Sequence, residues 1–149
     1  MGLWISTKTY THSEGLSCCY RQWRATDRSS MLHGFALSFK LVFECHNLDD
    51  NNRVIDFASL DHVKDWLASQ YDNTTCIAEN DPELDTFRLL ADKKLLDLRI
   101  LPGVGCEQFA EQTFKYVIHW LIRSEMIKRV TIRSVECIEH DGNSALFVE

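Results

Sequence analysis

At 149 residues, with 45% hydrophobic and 26% charged side chains, the chain can bury a core without staples and has the composition of an ordinary soluble globular protein. A net charge of −6 with no basic stripe argues against a nucleic-acid surface, and no apolar run reaches the roughly 18 to 20 residues of a membrane span. Six cysteines, at 18, 19, 45, 76, 106 and 137, include no C-x-x-C pair, which speaks against a zinc knuckle or disulfide framework and predicts reduced, mostly buried thiols in a cytoplasmic protein.

Strand signals open the chain. MGLWISTKTY lacks the charged region and apolar core of a signal peptide. LWISTKTYT alternates loosely, and GLSCCYRQW reads as an extension or re-entry of that strand after a break at Glu14-Gly15. Beyond the polar loop ATDRSS, the stretch SMLHGFALSFKLVFE puts Leu37, Phe39, Leu41 and Phe43 on one face and Ala36, Ser38, Lys40 and Val42 on the other. NLDDNNR is a turn cluster, and RVIDF a short apolar return. From Phe57 the period changes to helical, with Leu60, Val63, Leu67 and Tyr71 on one stripe and Asp56 or Ser59 as the cap. DPELDTFRLLADKK predicts a short helix opened by Asp81-Pro82, and LLDLRIL a brief extended run. A longer helix starts at Glu107, with Phe109, Phe114, Val117 and Leu121 inward. RVTIRSVEC and SALFV make a hairpin around HDGN.

The order ββααββ predicts an α+β domain over residues 1–149, with a four-stranded antiparallel sheet and helices on one face. Such a sheet has open edges and is expected to pair with other copies of the chain.

Several short motifs carry a resemblance. GLSCCYRQ, MLHGFAL (against L-H-G-H), NRVIDFASL (against G-x-V-x-D-F-x-x-L), QYDNTT (against L-D-H-T) and VGCEQFAE (against P-T-x-E-N-x-A) together resemble the 6-pyruvoyl-tetrahydropterin synthase and 6-carboxy-tetrahydropterin synthase family over nearly the whole chain. The resemblance implies the tunnelling fold, in which subunits join their sheets into a barrel, here a hexamer of two trimers. It also implies a pterin or purine-like ligand between subunits, and carbon–oxygen lyase chemistry that uses zinc.

The family's zinc needs three histidines, and only His33 stands at one of those positions. Tyr20 matches the first and Phe35 the third; a phenyl ring cannot ligate, and a phenol must first lose a proton of pKa about 10. A substitute set of His12, Cys18 and His33 is conceivable, although no spacing demands it. Zinc is therefore not expected. Ser29 occupies the place of the family's basic cysteine, and Asn73 follows Asp72 where the family has an aspartate-histidine pair; neither a hydroxyl nor an amide does that acid-base work. By the resemblance, Glu136 accepts the two N–H groups of the ring edge and Glu107 orients the pocket, while Gly105 stands in place of a threonine. The expected protein binds a ring with its lyase machinery largely replaced. The alternative is an active lyase with a rebuilt site that uses Asp72, Glu136 and an unorthodox metal set.

Overall fold

The computed structural model describes residues 2–140 and 142–149. Eight strands and three helices fall in the order β1 (Trp4–Tyr10), β2 (Ser17–Tyr20), β3 (His33–Ala36), β4 (Ser38–Cys45), α1 (Asp61–Tyr71), β5 (Thr74–Ala78), α2 (Leu84–Asp92), β6 (Leu98–Leu101), α3 (Cys106–Arg123), β7 (Thr131–His140) and β8 (Asn143–Val148).

The main sheet is the predicted four-stranded antiparallel one, in the order β1-β4-β7-β8. Its centre is β4, whose alternation has a direct physical result: Phe39, Leu41 and Phe43, with Leu37 just before them, are fully buried. The helices cover that face. Val63, Leu67 and Tyr71 of α1 and Phe109, Phe114, Val117 and Leu121 of α3 are buried in the same cluster. Trp66 of α1 stacks on Tyr116 of α3 at 4.4 Å, and the Tyr10 hydroxyl donates to the Leu60 carbonyl at 3.0 Å. No helix of the described residues is long and apolar enough to cross a membrane.

A second four-stranded sheet, in the order β3-β2-β5-β6, was not expected. β2 does not extend β1. A single 3-10 turn at His12–Glu14 and a left-handed Gly15 (φ 104°) swing the chain away, so that β2 pairs antiparallel with β3 and parallel with β5. β5 is buried at all five positions, so it shows none of the alternation that reveals a half-buried strand. The RVIDF return is not a strand either. Val54 and Ile55 are buried in a turn that leads into the 3-10 segment Phe57–Leu60, capped by the Asp56 carboxylate, which accepts from the Ala58 amide at 3.0 Å. The hairpin turn predicted at HDGN includes Asp141, which lies outside the described residues.

Candidate functional site

Five segments converge on a cavity of about 430 Å³: the end of β2, the loop to β3, β3 itself, the N-terminus of α3 and the β7–β8 hairpin. Tyr20 comes from β2, and its ring stacks on Phe35 of β3 (5.1 Å) and meets Phe109 of α3 edge-on (5.2 Å). The Tyr20 hydroxyl donates to Glu139 Oε2 at 2.8 Å, and Asn143 Nδ2 donates to Glu139 Oε1 at 3.1 Å. Burial, and then the neighbouring Glu139 carboxylate, push the Tyr20 phenol well above its ordinary pKa, so it stays a donor. The Glu139 carboxylate is thus held from two sides, with its side chain only 20% exposed.

Beside it, Gly105 precedes α3 with φ 112°, a conformation L side chains rarely adopt. A Cβ there would also lie 2.6 Å from Gln22 Nε2, which donates to the Val104 carbonyl at 2.9 Å. The amide of Gln22 fills the space that a threonine would occupy. Arg21 forms a two-pronged pair with Asp81 (Nε–Oδ2 2.9 Å, Nη2–Oδ1 2.6 Å) and donates through Nη1 to the Ser30 carbonyl at 3.1 Å. Asp81 therefore does more than open α2. Its carboxylate also accepts from the Glu83 amide at 2.8 Å, and it ties the loop that bears Ser29 to the end of β5.

Of the residues singled out in the sequence, the fold brings Ser29, His33 and Glu107 to the cavity wall. His33 places Nε2 2.8 Å from the Arg28 carbonyl. His12, Asp72 and Asn73 lie elsewhere. His12 Nδ1 is hydrogen-bonded to the Ala36 carbonyl, the Asn73 amide to the Ser17 carbonyl, and Asp72 faces Gly15. Ser17 pairs with Ala36 at one end of the β2–β3 ladder and Tyr20 with His33 at the other, about 10 Å away along the strand. His12 and His33 are therefore not brought together, and Cys18 is buried between the strands' ends. Among the described residues no group of three histidine, cysteine or acidic side chains is placed to hold a metal ion.

Glu136 is not at the cavity. It stands opposite Lys40 and Leu146 on the open face of the sheet, where it accepts from the Ser144 hydroxyl at 2.7 Å. Glu139, three residues on, shares the parity of the buried Val135 and Cys137 and sits where the β7–β8 register shifts, which carries it over the cavity. That parity was readable in the sequence. A carboxylate on the core face of a strand is the anomaly that should have drawn notice.

The 6-pyruvoyl tetrahydropterin synthase family model matches residues 9–149, and the chain belongs to that family. An uncharacterized protein from Wolinella succinogenes shares the fold at a TM-score of 0.83 with 17% identity, over 100% of this chain and 99% of that one. The 6-pyruvoyltetrahydropterin synthase of Plasmodium vivax, in a catalytic-residue variant, aligns at 0.69 with 14% identity over 98% of each chain. That of Caenorhabditis elegans aligns at 0.65 with 13% identity, over 100% of this chain and 97% of that one. A search of curated proteins gives no match.

Proposed function

We propose that the protein binds a pterin or purine-like bicyclic ring in this cavity, with Glu139 in the role the sequence had suggested for Glu136, and that it does not carry out the family's zinc-dependent lyase reaction. The observation that carries the reading is the Glu139 carboxylate, held on the cavity wall by Tyr20 and Asn143. Each of its oxygens keeps a lone pair for a ring N–H, and a carboxylate that accepts two parallel N–H bonds is a strong and directional contact. A volume of about 430 Å³ suits a small bicycle.

The donor set speaks against zinc. Phe35 has no ligating atom, the Tyr20 phenol is a protonated donor to Glu139, and His33 Nε2 faces a backbone carbonyl. Ser29 offers a hydroxyl in place of a thiol, and Asn73 an amide in place of an imidazole. Calorimetry with an unphosphorylated pterin should give saturable binding, and incubation with a pterin triphosphate should release no inorganic triphosphate, for the wild type and for Ser29→Cys alike. Turnover by either protein would contradict the reading.

We also infer a homo-oligomer, a hexamer by resemblance, with one domain per chain and a cytoplasmic location in keeping with six free cysteines. Supporting it, the outer strands β1 and β8 leave Trp4, Ile5, Leu146 and Val148 more than half exposed at the two edges of the main sheet. Light scattering at micromolar concentration should report a multiple of 17.3 kDa; a monomer mass would overturn the inference.

A further inference from the structure

We propose that Cys106 and Cys137 form a redox pair at the cavity wall, which a hydroperoxide oxidises to a reversible disulfide that weakens the ring site. The pair stands on its own geometry; its effect on binding rests on the reading of the cavity as a ring site. Cys106 is the first residue of α3 and, among the described residues, the only thiol on the cavity lining, where it is 7% exposed. Its Sγ lies 4.0 Å from Glu139 Oε2. Cys137 stands two residues before Glu139 on β7, with the same parity, and is fully buried in the core cluster that also holds Cys106. Burial, and then the Cys106 thiol beside it, push the Cys137 pKa well above its ordinary value. One sulfur of the pair is therefore within reach of a solute in the cavity, and the other waits behind it as a thiol. The remaining cysteines lack this arrangement. Cys18 and Cys76 are buried away from the lining, and the Cys76 thiol donates to the Gln70 carbonyl at 3.5 Å. Cys19 Sγ lies 3.1 Å from Thr75 Oγ1, and buried Cys45 faces Arg129 Nη1 at 3.7 Å.

Any route that admits a bicyclic ring admits a hydroperoxide. The Cys106 sulfur attacks the O–O bond, which breaks; one oxygen stays on sulfur as a sulfenic acid, and the other takes the thiol proton and leaves as an alcohol or water. The Cys137 sulfur then displaces the sulfenic hydroxyl, which takes the Cys137 proton and leaves as water. Two thiols are oxidised by two electrons and one peroxide is reduced. A thiol that closes the sulfenic acid at once keeps the oxidation reversible, as a redox-sensing disulfide in a reducing compartment requires. The new bond takes the Cys106 thiol from Glu139 Oε2 and ties the first turn of α3 to β7. Gly105 and Glu107, the chain neighbours of Cys106, line the same cavity and move with it.

The test treats the reduced protein with a small excess of hydrogen peroxide, alkylates it under denaturing conditions and maps its thiols by mass spectrometry. Two of the six thiols are expected to escape alkylation and to return after dithiothreitol, and the linked peptides are expected to carry Cys106 and Cys137. In Cys137→Ala the same treatment is expected to leave a sulfenic acid on Cys106 that dimedone traps, with no link. Calorimetry with an uncharged pterin is expected to show about tenfold weaker binding by the oxidised wild type, restored on reduction. Six open thiols after peroxide, a link between Cys18 and Cys76 instead, or Cys106 oxidised without Cys137 in the wild type overturns the pair. A Cys106–Cys137 link with unchanged ring binding overturns its coupling to the site. A reduced protein that binds no ring overturns the ring reading and the coupling, while the thiol map still decides the pair.

Discussion

Glu139→Gln is expected to weaken binding of an uncharged pterin tenfold or more, while Glu136→Gln leaves it unchanged. The glutamine keeps the shape of the side chain but removes the charge, and it turns one acceptor into a donor. In the cavity that donor faces either a ring N–H or the Tyr20 hydroxyl, which already donates to this carboxylate. A donor left facing a donor costs about 1–3 kcal/mol, and a lost charge-assisted bond adds to it. At 1.4 kcal/mol per decade the expected loss is one to two orders of magnitude. Glu136 is the internal control, because it lies on the opposite face of β7 among Lys40, Leu146 and Ser144. Paired titrations of the two variants check the point; equal weakening by both would place the ring elsewhere.

Asp81→Ala is expected to be the most destabilising single change near the site. It leaves the Arg21 guanidinium, whose side chain is 18% exposed, without its partner, and it uncaps the Glu83 amide. Breaking a buried ion pair on one side costs about 3 kcal/mol, or roughly 10 °C in melting temperature for a chain of this size. The effect depends on pH in a definite direction. Burial alone would raise the Asp81 carboxyl, but the Arg21 and Glu83 hydrogen bonds outweigh it and hold the group below the usual carboxylate range. Its folded-state pKa is depressed, so its stabilisation is complete above the unfolded value of about 4 and is lost as pH falls through the folded value. Melting curves of wild type and Asp81→Ala should differ fully at neutral pH and converge in acid. A gap that stays constant from neutral pH into acid would show that the ion pair contributes nothing.

Much of this arrangement was legible from residue pattern. The alternation through β4 and the 3.6-residue stripes of α1 and α3 fix the main sheet and its helical cover, because each has one wet and one dry face. The second sheet was hidden for the opposite reason. β5 is dry on both faces and β2, β3 and β6 are four residues long, so none presents a period to count. At the site, four of the residues singled out by motif spacing, Ser29, His33, Phe35 and Glu107, line one cavity. Glu136 lies off its wall on the open face of the sheet, while a register shift in β7 brings Glu139 over the cavity. Arg21 and Asp81 are sixty residues apart, and nothing local links them. Only the fold makes them a pair.

The most direct test is a crystal structure of the protein grown with an uncharged pterin. The ring edge should lie about 2.7–2.9 Å from both Glu139 oxygens, with the Tyr20 bond to Oε2 retained and the Arg21–Asp81 pair intact. A ring bound on the open face beside Glu136, or a metal ion between Tyr20 and His33, would contradict the account.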